Sequence, residues 1–307
     1  MATEMPTTSL VRARGVYVRS VSGPERPAGA GRAWRRLGAL GLAAALGLTG
    51  LSTAQAWPRG AELQLDVTSH FDYENPGLME EEGDLLGLAI AYTGEPNTPP
   101  GSWPLRFEGR LRVGETDYDG ENDYRGVITT TGSGGPSKPA VADTDDIVGN
   151  VRLLTGAGPA STLFYGGLGF RFWDQDLEDA ELKASGKTIP NSSYDRGHRY
   201  GYVPLGVRLE PSLGNGWTVH LEAEYQVVLW GEAYADSNAL NERTFEMDDG
   251  HGLALRTGAR YAITSALALS TEVYFQYWDL DSSEPDAGYL EPANDTEEAG
   301  VRFGINW

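Results

Sequence analysis

From Ala61 onward, apolar and polar residues alternate with a period of two in ten successive stretches, and almost nothing repeats with a helical period. That period places alternate side chains on opposite faces of a β-strand. The clearest stretch, WPLRFEGRLRV, sets Trp103, Leu105, Phe107, Leu111 and Val113 against Arg106, Glu108, Arg110 and Arg112. Before it, ELQLDVTSHFDY carries Leu63, Leu65, Val67, Phe71 and Tyr73 on one face. LLGLAIAY opposes Leu86, Leu88, Ile90 and Tyr92 to Gly87, Ala89 and Ala91. This second stretch is the weakest, and eight strands stay open as the alternative to ten.

The pattern continues to the last residue. Ile147, Val151 and Leu153 oppose Asp146, Asn150 and Arg152, and Phe164, Leu168, Phe170 and Phe172 oppose Tyr165, Arg171 and Trp173. Val203, Leu205, Val207 and Leu209 face away from Arg208 and Glu210. In WTVHLEAEYQVVLW the polar set is His220, Glu222, Glu224 and Gln226, and in LALRTGARY it is Arg256 and Arg260. LALSTEVYFQYW sets Val273, Phe275 and Tyr277 against Glu272, Tyr274, Gln276 and Trp278. The final EEAGVRFGINW sets Val301, Phe303, Ile305 and Trp307 against Glu298, Arg302 and Asn306.

The connections decide which face is wet. From the third onward they run long, short, long, short: Gly114 to Thr144, GAGPAS, Asp174 to Arg199, PSLGNG, Gly231 to Gly250, ITSA, and Asp281 to Asp295. Up-and-down membrane barrels have this asymmetry, with long outside loops and tight periplasmic turns. With odd-numbered connections outside, Tyr92, Trp103, Phe164, Trp217, Tyr261 and Trp307 all fall at periplasmic strand ends, on the apolar face. Phe71, Tyr73, Phe172, Phe275 and Tyr277 fall near the opposite rim. Two aromatic rings bracketing an aliphatic band suit anchoring at headgroup level, so the apolar face looks at lipid. The expected fold is all-β: a ten-stranded antiparallel up-and-down transmembrane barrel. No later segment is long and apolar enough for a spanning helix.

The first part of the chain differs in kind. Residues 1–36 hold seven arginines and two acids, and the apolar run Leu37 to Leu51 precedes Ala54-Gln55-Ala56. A basic region, a short apolar region and an A-x-A site describe a cleaved secretory signal, here residues 1–56 before a barrel of 57–307. Without residues 1–56, 17 basic and 42 acidic residues remain, a net charge of −25. Such a surface excludes nucleic acid as a partner. An exported chain without Cys needs a closed sheet or a large core in place of disulfides.

These features together resemble the Gram-negative outer-membrane β-barrel proteins. GVRFGINW is similar to their C-terminal strand, whose terminal aromatic the barrel-assembly machinery reads. The resemblance implies an outer-membrane location, contact with lipid and lipopolysaccharide, and a monomer. Ten strands, with YGYVPLGVRLE and LFYGGLGFRF, resemble the omptin proteases in particular. Omptins carry an Asp pair in the second outer loop and an Asp–His pair in the fourth, flanking a water. Here TDYDG supplies Asp117 and Asp119, and DDGHG supplies Asp249 and His251. His as base, oriented by Asp, beside paired carboxylates is sensible chemistry. The departure is that WGEAYADSNALNE, directly after the seventh strand, has no His.

The expected lumen gathers Arg106, Glu108, Arg110, Arg112, Asp146, Arg152, Arg171, Arg208, Glu210, His220, Glu222, Glu224, Arg256, Arg260, Glu272, Glu298 and Arg302. Near-balanced charges confined in a narrow space should pair, because an unpaired one is costly. Barrels of about 8 strands are just filled by side chains, so ten should be largely plugged. The expectation is a non-enzymatic surface protein without a cofactor. Clustered carboxylates in the outer loops offer Ca²⁺ or Mg²⁺ a site, though no EF-hand spacing occurs. A small-solute channel and an omptin-like endopeptidase remain the alternatives.

Overall fold

A computed structural model describes residues 57–75, 79–94, 104–121, 128–129, 139–158, 161–189, 192–237, 242–247, 249–285 and 289–307. The expected signal, residues 1–56, and Trp103 lie outside the described residues.

Ten long strands form one wall: β1 (Gly60–Asn75), β2 (Met79–Gly94), β3 (Leu105–Glu121), β4 (Pro139–Ala157) and β5 (Thr162–Leu177). They are followed by β6 (Tyr194–Leu209), β7 (Trp217–Ser237), β8 (Gly250–Ala262), β9 (Ala268–Leu280) and β10 (Asn294–Asn306). Each pairs antiparallel with the next, and β10 returns to β1, so the sheet closes. Closure leaves no strand edge, which is what permits a sheet to sit in lipid. At the seam, Ala61 N–H donates to the Trp307 carbonyl at 2.8 Å and Trp307 N–H to the Ala61 carbonyl at 2.9 Å. Gly60 permits that approach: its φ is +96°, and a Cβ there would lie 2.1 Å from the Trp307 oxygen.

The stagger follows from the register. Hydrogen-bonded partners lead from Val67 through Leu86, Val113, Ile147 and Asp174 to Gly197 on β6. The opposite way round leads through Val301, Val273, Thr257 and Leu221 to Leu209 on the same strand. This offset of twelve residues, for strands about 4.8 Å apart rising about 3.3 Å per residue, sets a tilt of about 40° and a backbone radius of about 10 Å.

The outer face is a bare apolar belt, from Leu63, Leu65, Leu88, Ile90, Leu111 and Val113 round to Val273, Phe303 and Ile305, all exposed. A surface of this extent is stable against lipid and a liability in water. Tyr92, Trp217, Tyr261 and Trp307 are exposed at its periplasmic margin, and the Trp217 and Tyr261 rings lie 4.9 Å apart. Phe164 lies on the same outward face of β5. At the other margin outward charges begin at similar heights: Asp72, Asp84, Glu115, Asp145, Asp174, Asp279 and Glu297. A closed barrel with a polar lumen and a belt so bounded is the architecture of outer-membrane β-barrels.

Several expectations are corrected. The connections expected at Asp174 to Arg199 and Gly231 to Gly250 are shorter, because β5 runs to Leu177, β6 begins at Tyr194 and β7 runs to Ser237. Gly114 to Thr144 is not loop throughout: β3 runs to Glu121 and β4 begins at Pro139. Above the belt the outer face meets water, so the polarity of the alternation inverts. Asp117, Asp119 and Asp143 point out, while Tyr118 and Ala140 are buried inside. Likewise Met79 to Asp84 belongs to β2 rather than to a loop. Phe71 and Tyr73 do not face lipid either. A bulge shifts the β1 register between Thr68 and His70 against β10, and the two rings turn inward, 0% and 1% exposed.

The belt makes a directional prediction. Leu111→Arg, within the lipid belt, is expected to destabilise the fold by up to about 2–4 kcal/mol. Asp117→Arg, above the lipid on the same strand face, is expected to change it little. Denaturant titration in lipid vesicles, following the heat-resistant folded band, checks both.

Candidate functional site

The inward faces of the ten strands build one continuous side-chain column, in three levels. The periplasmic level is a lattice of ion pairs. Arg106 bridges Glu62 at 2.7 Å and Glu108 at 2.6 Å. Arg152 joins Glu108 to Glu224, the latter at 2.7 Å. Arg208 lies between Glu210 at 2.9 Å and Glu222 at 3.0 Å, and Glu222 also holds Arg256. Arg260 is the loosest, 3.6 Å from Glu210 and 29% exposed. The Tyr165 hydroxyl reaches Glu222 and Glu224 at 2.8 and 2.7 Å. His220 Nε2 lies 3.0 Å from Glu272, and Arg302 ties Glu272 to Asp66. A cavity of about 80 Å³ remains among these groups.

The middle level centres on two carboxylates. Asp66 accepts two bonds from Arg110, at 2.6 and 3.0 Å, and one from Tyr274 at 3.0 Å. Glu298 accepts from Arg112 at 2.7 and 3.1 Å and pairs with Arg171 at 2.5 Å. The guanidiniums of Arg110 and Arg302 lie 4.4 and 4.5 Å from the Tyr274 ring centre.

The outer level is aromatic. Phe71, Tyr73, Met79, Leu85, Tyr118, Val148, Trp173, Leu177 and Tyr194 pack as one cluster. Tyr200, Tyr202, Val228, Phe245, Met247, Trp278 and Leu280 belong to a second. Among the polar groups here, Glu81 takes Arg196 and Gln175, each at 2.5 Å. Asp146 accepts from Trp173 Nε1 at 2.6 Å and from Thr116 and Thr144 at 2.7 and 2.9 Å. Above this level, Tyr289–Leu290 pairs with Ile128–Thr129, joining the β9–β10 and β3–β4 connections. Glu291, 1% exposed, hangs beneath that join and reaches His198 Nε2 at 3.3 Å and Tyr73 Oη at 3.4 Å.

Every described lumen residue anticipated from the sequence lies on the inner face. Sequence reasoning missed Glu62, Asp66, Glu81, Arg196 and Glu291. Simple alternation around Leu65 and Val67 would have found Asp66; Glu81 and Arg196 lie on strand extensions that read as loop. His198 is on β6 and buried, not in a loop, and it stacks on Trp173 with ring centres 5.3 Å apart. His220 bonds Glu272, two strands away on β9.

The four candidate catalytic residues do not converge. Asp117 and Asp119 point outward from β3, and Asp119 pairs with Lys183. Asp249 is exposed just before β8. His251 lies on the outward face of β8, 4.0 Å from Asp279 and beside Tyr225. β3 and β8 are on opposite sides of the ring. The two pairs therefore share no common water.

On the outer wall above the belt, the carboxylates of Asp72, Glu80 and Glu82 approach within 4.8 Å of one another. Partial burial first, then the charge of Glu82, raises the Asp72 carboxyl above its ordinary 3.8. Glu80 is raised too, by burial and then by Asp72.

No family model matches the chain, and no curated protein matches it. Among solved structures it is similar to the outer membrane protease OmpT from Escherichia coli, at 11% identity over 83% of this chain and 99% of that one, with a TM-score of 0.48. It is also similar to the translocator domain of autotransporter NalP from Neisseria meningitidis, at 13% identity over 89% and 95%, TM-score 0.35. The toluene transporter TodX from Pseudomonas putida aligns at 11% identity over 81% and 90%, TM-score 0.28. Likenesses this distant carry no activity across to this chain.

Two outcomes follow for the site. Glu298→Gln leaves three enclosed guanidiniums short of a partner, and is expected to cost about 3–5 kcal/mol in denaturant unfolding. At Asp72 the native state binds its proton more tightly than the unfolded chain, so this group weakens the fold at neutral pH and stops doing so as pH falls. Asp72→Asn should therefore raise the unfolding midpoint at pH 7, with the gain gone near pH 3.

Proposed function

We propose that the chain is an integral outer-membrane protein of a Gram-negative bacterium, exported by a signal cleaved after Ala56, whose sealed barrel is a non-enzymatic support for an acidic outer surface. The observation that carries this reading is the filled lumen. Phe71, Asp66, Thr68, Val148, Gln226, Trp278 and Glu298 are all 0% exposed, at adjoining heights across the middle and outer levels. Side chains wholly enclosed in this way leave no room for a water column beside them. The join between two outer connections over the mouth points the same way.

The outward face supports the second half of the reading. Glu74, Glu80, Asp84, Glu115, Asp117, Asp119, Asp143 and Asp145 are exposed above the belt. They stand where lipopolysaccharide headgroups and external cations lie, and their like charge keeps the projecting wall soluble. The expected companions are outer-membrane lipid, lipopolysaccharide and, during insertion, the assembly machinery that reads Trp307. The working form is a monomer without a cofactor.

A small-solute channel is the second reading, favoured by the cavity of about 80 Å³ in the periplasmic level, room for a handful of waters. An omptin-like peptidase finds no comparable support, since its four candidate groups face outward from opposite walls.

Planar-bilayer recording on protein extracted from membranes in detergent separates the two. Silence from a barrel that remains heat-modifiable on gels is the expected result. Stable ohmic steps, with ion selectivity altered by charge reversal at Arg110 or Glu222, would replace the sealed-barrel reading with the channel.

A further inference from the structure

The middle of the lumen holds more positive charge and more donors than its own carboxylates serve. Arg110 is committed to Asp66 through two bonds. Arg112 and Arg171 are left to share Glu298, and meet at the same Oε1, at 3.1 and 2.5 Å. Arg110 adds a third, longer contact to Glu298 at 3.3 Å. Three guanidiniums thus face two carboxylates, one positive charge in excess. The neighbouring Arg302 does not change the tally, because it is matched by Glu272 at 2.8 Å.

The same cluster contains unmet donors. Nε of Arg112, Nε and Nη1 of Arg171, and Nε1 of Trp278 have no hydrogen-bond partner. All three residues are enclosed, at 1%, 1% and 0% exposure. They also touch: the Arg171 guanidinium lies 5.8 Å from the Trp278 ring centre, and Arg112 joins Arg171 through Glu298. Four N–H groups in one buried cluster are a large deviation from the rule that enclosed donors find acceptors. Tyr202, which packs on Trp278, does not fill the need, since its hydroxyl is bonded to Asn150 at 2.8 Å.

Water supplies acceptors but leaves the charge. A small anion supplies both. The excess of one charge asks for a monovalent ion, and close packing by Tyr200, Tyr202 and Trp278 asks for one with little bulk. We propose that the core of the barrel binds one halide-class anion, held by the free N–H groups of Arg112, Arg171 and Trp278. The ion is a structural part of the plug, taken up as the barrel closes and slow to exchange, because no group around it reaches solvent. It binds the folded state alone and therefore raises stability by mass action. This goes beyond the sealed-barrel reading and does not depend on whether the barrel conducts.

The test uses the barrel purified from membranes, then unfolded and refolded at constant ionic strength in bromide, chloride or gluconate. Crystals grown from bromide should give an anomalous peak in contact with Arg171 and Trp278 Nε1. The heat half-life of the folded band should be several-fold longer in either halide than in gluconate. Arg171→Met removes the excess charge and should abolish that preference. Trp278→Phe removes a single N–H, keeps the ring, and should weaken it, which covers the case in which Arg171→Met does not fold. A water in place of the anomalous peak, equal half-lives in all three salts, or an undiminished preference in either folded variant would overturn the proposal.

Discussion

The hydrogen bonds that close β10 onto β1, from Glu62 opposite Asn306 to Glu74 opposite Asp295, constrain everything else in the molecule. In lipid an open edge would leave a row of unserved N–H and C=O groups, each costing several kcal/mol. Closing ten strands with a stagger of twelve residues meets that demand but encloses a lumen only about 10 Å in backbone radius. The inward residues of such a ring must share a space too narrow to hydrate each of them. A charge placed there is stable only against a partner, and the lattice of Arg106, Arg152, Arg208 and Arg256 with Glu108, Glu222 and Glu224 is the result. Lipid outside therefore dictates ion pairing inside.

The same constraint fails to apply above the membrane, and the chain changes rule there. Below the outer margin Leu86, Leu88 and Ile90 point out while Ala89 and Ala91 point in. Above it Glu80 and Glu82 point out while Met79 and Glu81 point in. The strand does not end; its two faces exchange solvents. An apolar interior becomes affordable once water takes over the outer face, so Trp173, Tyr73 and Phe71 fill the outer level with edge-on ring contacts. The bulge at Thr68 carries out this exchange on β1 by moving its inward set by one residue.

This explains what the sequence could and could not reveal. Ten apolar faces at period two, such as Leu105, Phe107, Leu111 and Val113, are a direct imprint of lipid, and the strand count and closure follow from them. The inward set from Arg106 to Arg112 is legible for the same reason. What lay hidden depends on a change of phase or of solvent. Phe71 and Tyr73 continue the apolar period of Leu65 and Val67 by eye, and only the register shift sends them inside. Tyr118 and Glu81 sit among acids that resemble loop, because an acidic outer face above the belt carries no apolar signal. Glu291 is invisible for a third reason: its burial comes from a connection folding back over the lumen.

The three levels also differ in how their charge is compensated, and this gives the barrel a direction. The periplasmic lattice has several carboxylates per guanidinium within reach, loose members such as Arg260, and a cavity among them. Its pairs can exchange partners, since Arg256 lies near both Glu222 and Glu224. The middle level is tighter: Glu298 holds Arg112 and Arg171 with both oxygens, and these three residues are at most 1% exposed. The outer level reverses the balance, with Glu81, Asp146 and Glu291 buried around Arg196. The cavity of the periplasmic level is lined by Arg110, the guanidinium through which that level meets the middle one. Ion pairing is therefore loosest at the periplasmic end and most enclosed in the middle, where burial makes an unmatched charge most costly.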